Sequence, residues 1–219
     1  MAMTSSPFYR PPLRLHALTG WYDRLAEWTA AASFLQEELA ALAAAVRPSQ
    51  VLDVGCGTGN LTAALAVAMP RARIVAVDPD ARALGLAREK YARALPQVQW
   101  LTGYAQRLPG PMEGFDLAAS CLVFHHLDPD IKHGALQEMH RVLRPGGRAL
   151  IADFDRPSTA IKRLLFNGVR LLDGAVNTAA HADGAFIDVL RAAPFARVDR
   201  LATYEVPIGT VGLWELVRH

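Results

Sequence analysis

Apolar residues along the chain follow two alternating patterns. Leu35, Leu39, Leu42 and Val46 fall on one face of a helix, which Pro48 ends. Downstream, short runs rich in Val, Ile and Leu alternate with longer runs of helical periodicity. The predicted strands cover residues 50–54, 73–77, 98–101, 115–121 and 148–154, and the predicted helices between them cover residues 60–69, 81–95 and 131–143. This alternation predicts an α/β fold with a parallel sheet and helices on both faces.

The C-terminal part of the chain follows a different pattern. Residues 197–206 and 210–218 are strand-like runs separated by only three residues, so they predict an antiparallel hairpin. Helices are predicted over residues 161–172 and 185–192, and Trp214 is expected in the core. The segment between the fifth strand and the hairpin is expected over the C-terminal edge of the sheet, where ligands bind in this class of fold.

Length and composition indicate one globular domain. The chain has 219 residues, of which 52% are hydrophobic and 20% charged. Its 23 basic and 21 acidic residues leave a net charge of +2, and no basic run favours nucleic acid as a partner. No stretch of about 20 apolar residues is present, and residues 1–18 lack the apolar segment of a signal peptide. We therefore expect no membrane-spanning segment and a cytoplasmic location.

Three glycines at alternate positions follow the first predicted strand. Gly55, Gly57 and Gly59 allow a tight turn and let a ligand approach the backbone closely. A dinucleotide fingerprint, G-x-G-x-x-G, would place its third glycine at position 60, where the chain has Asn60. The spacing favours a nucleoside ligand without a pyrophosphate and disfavours an NAD-dependent oxidoreductase.

Asp78 ends the second predicted strand, 19 residues after Gly59. A carboxylate at that place can accept hydrogen bonds from both hydroxyls of a ribose. Such a contact is worth roughly 1.5–3 kcal/mol, so its loss is expected to weaken ligand binding about tenfold to a hundredfold.

Four segments of the chain resemble the ordered motifs of class I S-adenosylmethionine-dependent methyltransferases. They read DVGCGTG (53–59), VDPD (77–80), FDLAASCLVFHHL (115–127) and LRPGGRALIADF (143–154). The resemblance covers residues 35–154 and is nearest to the small-molecule branch that includes ubiquinone and menaquinone biosynthesis methyltransferases. It implies a Rossmann-like, doubly wound seven-stranded sheet in the order 3-2-1-4-5-7-6 with strand 7 antiparallel. It also implies methyl transfer from S-adenosylmethionine to an O, C or N nucleophile of a small organic molecule, leaving S-adenosylhomocysteine.

The resemblance also implies a set of cofactor-binding residues. Asp53 would orient the glycine loop or contact the cofactor's amino group, Asp78 would hold the ribose, and Pro79 would pack on the adenine. Tyr104 stands where the family often has an Asp that accepts from the adenine amine, so adenine recognition would pass to its neighbours or to stacking on Tyr104. The full set implied is Asp53, Gly55, Cys56, Gly57, Gly59, Asp78, Pro79, Tyr104, Ala105, Gln106, Ser120, Cys121 and, from the N-terminal part, Tyr22.

Two adjacent histidines, His125 and His126, follow the fourth predicted strand and are the candidate catalytic residues. One of them could act as a general base, because the pKa of imidazole lies near neutrality. The alternative is that both are hydrogen-bonded partners within a loop. Methyl transfer from a sulfonium needs no acid for its leaving group, and positioning alone can supply much of the rate acceleration.

Two carboxylates, two cysteines and three aromatic residues have two interpretations each. Asp153 and Asp155 could hold a cation or be ordinary surface carboxylates, and we expect no bound metal. Cys56 and Cys121 lie in no CxxC or CxxH pattern, which argues against a zinc site. We favour the interpretation that both are small packing residues near the cofactor over the interpretation that they form a redox pair. Three N-terminal aromatic residues could form a lid over the ligands or pack into the core: Trp21, Tyr22 and Trp28.

We interpret residues 1–219 as a single methyltransferase domain. Residues 1–34 would form an N-terminal arm or lid, residues 35–154 the cofactor-binding core, residues 155–184 a substrate cap, and residues 185–219 a helix and hairpin. The alternatives are a non-catalytic S-adenosylmethionine-binding protein on the same fold and a nucleic-acid methyltransferase. The latter is disfavoured because residues 120–123 read SCLV rather than (N/D)PP(Y/F). A monomer and a homodimer are equally compatible with the sequence.

Overall fold

A computed structural model describes residues 30–207 and 209–219. It confirms the α/β class, with helices and strands alternating along the chain. In chain order the elements are α1 (Ala30–Ala45), β1 (Gln50–Val54), α2 (Asn60–Ala68), β2 (Arg73–Asp78), α3 (Ala81–Tyr91), β3 (Val98–Thr102), β4 (Phe115–Cys121), a 3₁₀ turn (Phe124–His126), α4 (Pro129–Val142), β5 (Leu143–Asp155), α5 (Ala160–Asp173), α6 (Ala179–Asp183), α7 (Phe186–Arg191), β6 (Arg197–Val206) and β7 (Gly209–Val217).

The seven strands form one sheet in the order β3-β2-β1-β4-β5-β7-β6. Strands β1 to β5 pair in parallel, and β7 runs antiparallel to both β5 and β6. The strand order and the antiparallel seventh strand that the resemblance implied are therefore confirmed. Because five strands run in the same direction, their carboxyl ends meet at one edge of the sheet, where this class of fold binds its ligands.

Both faces of the sheet are covered by apolar side chains, as a buried parallel sheet requires. On one face, Leu39 of α1 and Leu65 of α2 pack with Leu150 of β5 in one core cluster. On the other face, Leu136 of α4 packs in a second cluster with Trp214 of β7. Trp214 is fully buried, which confirms its predicted place in the core.

Several element boundaries differ from the sequence prediction, and the helix predicted over residues 81–95 ends at Tyr91. Helix α4 begins at Pro129, where a proline in the first turn costs no hydrogen bond. Strand β5 begins at Leu143 rather than at residue 148, because the backbone becomes extended directly after the last residue of α4 and contains a bulge. The pairing moves from Phe115 with Leu143 to Leu117 with Arg148, so the Pro-Gly-Gly segment lies inside the strand as extra residues.

The segment from residue 155 to residue 184 contains two helices, α5 and α6, where the sequence predicted only the first. Helix α6 has only five residues and lacks a long apolar periodicity. None of the helices among residues 30–207 and 209–219 is long and apolar enough to cross a membrane.

Candidate functional site

A cavity opens at the carboxyl ends of β1, β2, β3 and β4. Its walls come from the loops that follow these strands and from the first turns of α1 and α4. Nine of the predicted cofactor residues line it: Gly55, Cys56, Gly57, Asp78, Pro79, Tyr104, Ala105, Gln106 and Cys121. Sequence reasoning did not identify several other lining residues, among them Gln36, Thr58, Asn60, Asp80, Val123, Asp128 and Ile131.

The glycine loop and Asp78 are joined by hydrogen bonds at the wall of this cavity. The backbone N–H of Gly57 donates to Oδ2 of Asp78 at 2.8 Å, and the N–H of Asp80 donates to Oδ1 at 2.8 Å. The N–H groups of Gly55 and Cys56 both donate to the carbonyl of Val77, the residue before Asp78. These bonds fix the position of the glycine loop relative to the end of β2, and they hold the carboxylate of Asp78 at the cavity wall.

Burial raises the pKa of Asp78 to about 6, although the N–H groups of Asp80 and Gly57 oppose the shift. The carboxyl group is therefore mostly ionised at neutral pH, as an acceptor for ribose hydroxyls needs to be. Its two oxygens carry one backbone hydrogen bond each, and each retains acceptor capacity toward the cavity.

Two glycines of the loop have different surroundings. A Cβ on Gly55 (φ +76°) would lie 2.5 Å from Cγ2 of Val123, so only glycine fits between β1 and the residues that follow β4. A Cβ on Gly57 (φ +52°) would meet no atom of residues 30–207 and 209–219 within 4 Å, because that position opens into the cavity. The loop thus offers bare backbone to a ligand at Gly57, in keeping with the sequence prediction.

Asp53 lies behind the glycine loop and does not line the cavity. Its side chain is fully buried, and Oδ2 accepts a hydrogen bond from the hydroxyl of Thr62 at 2.5 Å. Oδ1 is also buried and has no hydrogen-bond partner among the residues that the structure describes. Burial raises the pKa of Asp53 to about 7, with a further contribution from the charge of Asp78. Of the two roles considered for Asp53, this position favours orienting the loop.

Two further predicted cofactor residues lie away from the cavity wall. Ser120 is fully buried, and its hydroxyl donates to the carbonyl of Val54 in the neighbouring strand at 3.0 Å. Because side chains alternate along a strand, Cys121 rather than Ser120 faces the cavity. Ser120 is thus absent from the cavity lining, although the sequence predicted it beside Cys121 in the methyl-transfer region. Gly59 precedes α2, and its N–H donates to the carbonyl of Cys56.

The two candidate catalytic histidines have different positions. His126 lines the cavity, whereas His125 is 2% exposed and points into the core. Nδ1 of His125 lies 2.7 Å from Oδ1 of Asp153. Burial alone would raise the pKa of Asp153, but the charge and hydrogen bond of His125 hold it far below its usual value. The carboxylate is thus ionised and accepts from His125.

His126 is paired with Asp173, a residue that sequence reasoning missed. Nδ1 of His126 lies 3.0 Å from Oδ1 of Asp173, at the C-terminal end of α5. Burial favours the protonated form of Asp173, but the hydrogen bond and charge of His126 lower its pKa below the usual range. Burial, together with the neighbouring His125, lowers the pKa of His126. A neutral His126 that donates through Nδ1 has Nε2 as its basic nitrogen.

Hydrogen bonds also join the segment after α5 to the loop that carries His126. The side-chain amide of Asn177 donates to the carbonyl of His126 at 2.8 Å. Lys132 of α4 is buried, and its amine donates to the carbonyls of Leu127 at 2.5 Å and Asn177 at 2.6 Å. Burial lowers the pKa of Lys132 to about 8. The predicted substrate cap is therefore fixed to the wall of the cavity by polar contacts.

The two carboxylates that were considered as cation ligands, Asp153 and Asp155, contact other groups of the protein. Asp153 also accepts from the N–H groups of Phe124 and Phe154, and Asp155 lies 2.8 Å from a guanidinium nitrogen of Arg200. Both carboxylates are buried, so neither is the surface carboxylate that one interpretation expected. Within the described residues, one group with metal-ligand chemistry lies close together, namely His125, His126 and Asp173, whose ligand atoms fall within 4.8 Å of one another.

Cys56 and Cys121 are both free thiols. Burial raises the pKa of each, assisted by Asp53 at Cys56 and by Asp153 at Cys121. Both thiols are therefore protonated at neutral pH and poor nucleophiles. The three N-terminal aromatic residues Trp21, Tyr22 and Trp28 lie outside the described residues.

Comparison with known proteins agrees with this geometry. Residues 51–147 match the profile of the family described as a methyltransferase domain. The chain is 37% identical over 141 residues to a demethylmenaquinone methyltransferase of Deinococcus radiodurans, covering 63% of this chain and 58% of that protein. It is 41% identical over 117 residues to a trans-aconitate 2-methyltransferase of an Azoarcus species, covering 52% and 43%.

The chain spans about half the length of the curated relatives it matches. Among solved structures, the apo form of the S-adenosylmethionine-dependent methyltransferase SibL shares the fold, with a TM-score of 0.73 and 24% identity over 97% of this chain and 63% of that one. The glycine loop, Asp78 and the motifs after β4 and within β5 all lie within the matched part of the chain or directly beside it. Residues 51–147 thus match a methyltransferase domain, and the chain is similar in sequence to quinone-biosynthesis methyltransferases.

Proposed function

We propose that this protein transfers a methyl group from S-adenosylmethionine to an O, C or N nucleophile of a small organic molecule. The observation that carries the proposal is the hydrogen bond between Gly57 and Asp78 at the cavity wall. It places bare backbone and an ionisable carboxylate side by side, as a ligand with a ribose and an amino-acid part requires.

The residues present fit such a cofactor. Asp78 would accept from the ribose hydroxyls, and the backbone from Gly55 to Gly57 would contact the methionine part. Pro79 would pack on the adenine, whose edge would meet the backbone of Ala105 and the side chain of Gln106. When bound, S-adenosylmethionine supplies an electrophilic methyl group on a sulfonium. Tyr104 also lines the cavity and is in place to stack on the adenine.

Within this site we propose His126 as the general base and His125 as a positioning residue. His126 faces the cavity, and the carboxylate of Asp173 fixes its Nδ1 as a donor. Its Nε2 would then take the proton that an acceptor hydroxyl, amine or acidic carbon loses as the new bond to the methyl group forms. His125 would hold the loop through Asp153 without touching the substrate.

A small acceptor fits the chain better than a polymer. The net charge is +2, and residues 120–123 lack the motif typical of enzymes that methylate exocyclic amines of nucleic acids. The two relatives named above differ in their acceptors, demethylmenaquinone and trans-aconitate. Both cysteines are free thiols, in keeping with the reducing cytoplasm that we propose as the location.

Two measurements test the proposal. Calorimetry should show that the full chain binds S-adenosylhomocysteine, and failure to bind would overturn the proposal. Incubation with methyl-labelled S-adenosylmethionine and a panel of quinones, phenols, amines and carboxylic acids, including demethylmenaquinone and trans-aconitate, should label at least one acceptor. Binding without label on any of these classes would instead support a non-catalytic S-adenosylmethionine-binding protein.

A further inference from the structure

Two adjacent histidines and an aspartate from a distant helix bring three potential metal ligands together. His125, His126 and Asp173 each offer one ligand atom, and these atoms lie within 4.8 Å of one another. Nδ1 of His126 is 3.0 Å from Oδ1 of Asp173, and Nε2 of His125 is 3.9 Å from Oδ2. Atoms that bind one ion at about 2.1 Å lie roughly 3.0–3.5 Å apart. The first distance fits this geometry, and the second needs to shorten by roughly half an ångström.

Local structure explains how two neighbours in the chain reach the same carboxylate. Successive side chains of a strand point to opposite faces, whereas His125 and His126 lie in a 3₁₀ turn with about three residues per turn. Their ring centroids are 3.9 Å apart, and the rings are tilted by 44°. The amide of Asn177 donates to the carbonyls of His126 at 2.8 Å and Asp173 at 3.1 Å. Backbone contacts therefore hold two of the three residues in place.

Asp153 orients His125 as a ligand. Its Oδ1 lies 2.7 Å from Nδ1 of His125, and its Oδ2 accepts from the N–H of Phe124 at 2.6 Å. Because Nδ1 donates to this carboxylate, Nε2 is the nitrogen with the lone pair in the neutral ring, and it lies on the side of Asp173. Histidines that bind metal ions usually donate their other N–H to a carboxylate, which fixes the tautomer and raises the basicity of the ligand nitrogen.

The charge around these residues favours a divalent cation. Asp153 and Asp173 contact the two imidazoles, and the buried amine of Lys132 interacts with Asp153 and with a third carboxylate, Asp128. With neutral imidazoles, the three carboxylates outnumber the single amine, and a divalent ion would balance the excess negative charge. Two imidazoles and one carboxylate suit zinc and similar transition metals, whereas magnesium and calcium prefer oxygen ligands alone.

We propose that His125, His126 and Asp173 bind a divalent transition-metal ion of the zinc class, and that the bound ion blocks methyl transfer. The inhibition rests on the function and the base proposed above, whereas the metal site does not. When Nδ1 of His126 binds the ion, its proton passes to water and Nε2 takes up a proton from water, so the ring stays neutral. Nε2 then has no lone pair with which to take the proton of the acceptor. The sequence expectation of no bound metal was made without Asp173.

Equilibrium dialysis tests the metal site, using the full chain without a histidine tag after treatment with EDTA. The native protein should bind about one equivalent of zinc at micromolar concentration, and millimolar magnesium should not displace it. Asp173→Asn should weaken zinc binding by roughly tenfold or more, because an amide is a poorer ligand than a carboxylate. The amide oxygen can still accept from His126, so the variant should keep the native melting temperature. His126→Ala is the second variant and should weaken zinc binding equally.

The matched control is His133→Ala, which removes an exposed histidine of α4 outside this cluster. It should bind zinc like the native protein. Cobalt(II) serves as a spectroscopic probe, and its spectrum should lack the charge-transfer band that a thiolate ligand produces, which distinguishes the site from Cys56 and Cys121. Zinc should leave the affinity for S-adenosylhomocysteine unchanged, because none of the three ligands is proposed to hold the cofactor. It should lower methyl transfer by roughly tenfold or more, and EDTA should restore the rate.

Different results would overturn the two parts of the proposal. Absence of zinc binding, equal zinc affinity of Asp173→Asn and the native protein, or a thiolate band in the cobalt spectrum would overturn the metal site. Zinc that binds at this site without slowing methyl transfer would overturn the inhibition. Failure to bind S-adenosylhomocysteine would overturn only the proposed function and the inhibition that depends on it, because zinc binding is measured without cofactor.

Discussion

Asp78 accepts a hydrogen bond from the backbone N–H of Gly57 at 2.8 Å, although 21 residues separate them in the chain. The bond joins the loop after β1 to the end of β2, two parallel neighbours in the sheet. It therefore couples the shape of the glycine loop to the carboxylate that is proposed to hold the ribose. Four predictions follow from this contact and its surroundings.

Replacing Asp78 with Ala should weaken binding of S-adenosylhomocysteine about tenfold to a hundredfold, because a charge-assisted hydrogen bond of roughly 1.5–3 kcal/mol is lost. In the native protein the affinity should also fall as the pH is lowered through about 6, where the carboxylate becomes protonated. Calorimetry across this pH range measures both effects. The affinity of Asp78→Ala should not depend on pH in this range. If the variant bound S-adenosylhomocysteine as tightly as the native protein, Asp78 would not hold the ribose.

Gly55→Ala should destabilise the fold and abolish cofactor binding, because the new methyl group would lie 2.5 Å from Val123. Gly57→Ala is the matched comparison, since its methyl group would meet no atom within 4 Å in the part of the chain that the structure describes. Its stability should fall by only about 1 kcal/mol, while its affinity for S-adenosylhomocysteine should drop. Thermal unfolding measures the stability of the two variants, and calorimetry measures their affinity for S-adenosylhomocysteine.

The clash at Gly55 can be tested by rescue. Combining Gly55→Ala with Val123→Ala should recover part of the lost melting temperature, because the obstructing methyl groups are gone. If Gly55→Ala were as stable as Gly57→Ala, the close approach between the glycine loop and the residues after β4 would be incorrect.

His126→Ala should lower kcat by roughly a hundredfold or more if His126 is the base. Burial lowers the pKa of His126, so the acidic limb of the native pH–rate profile, along which the rate rises with pH, should lie below the usual pKa of a histidine. His125→Ala should reduce melting temperature more than rate, since its imidazole contacts Asp153 in the core. Asp173→Asn should shift the pH–rate profile while leaving the affinity for S-adenosylhomocysteine unchanged.

The pH–rate profile decides between a base and positioning alone. An unchanged profile in both histidine variants would exclude the base role, and His126 would then be a hydrogen-bonded loop residue. The acceptor for this measurement is whichever compound the labelling panel identifies.

Asp53→Asn should change how the stability of the fold depends on pH. The pKa of Asp53 is raised from 3.8 to about 7 in the folded state, so the folded protein binds this proton more tightly than the unfolded chain. The corresponding stabilisation is complete below pH 3.8 and is lost as the pH rises through about 7. The native protein should thus lose up to about 4 kcal/mol relative to Asp53→Asn over this interval.

Urea unfolding of both proteins across the interval measures the difference in stability. The control is Asp188→Asn, an exposed carboxylate on α7 whose replacement should leave the pH dependence unchanged. A constant difference between native protein and Asp53→Asn at all pH values would contradict the burial of an ionisable Asp53.

Local sequence determined most of the sheet and the location of the candidate site. Short apolar strands such as Gln50–Val54 and Phe115–Cys121 have the lengths and composition that sequence patterns encode directly. Gly55, Gly57 and Asp78 could be predicted to line a ligand site, and they do line the cavity, because tight turns and hydrogen-bond acceptors depend on residue type and spacing along the chain. The strand order followed from the resemblance of four motifs and was confirmed by the structure.

Tertiary structure alone decided which side chains meet. The contact of His126 with Asp173 joins residues far apart in sequence, and it depends on where the α5 segment settles on the sheet. The hydrogen bond of Ser120 to Val54 in the neighbouring strand holds its side chain away from the cavity, and the packing of α5 leaves several of its large apolar side chains exposed. A periodic pattern reports that a helix has an apolar face, but Phe166 on the other side determined which face is buried. That choice is made by contacts between distant segments, which no local pattern records.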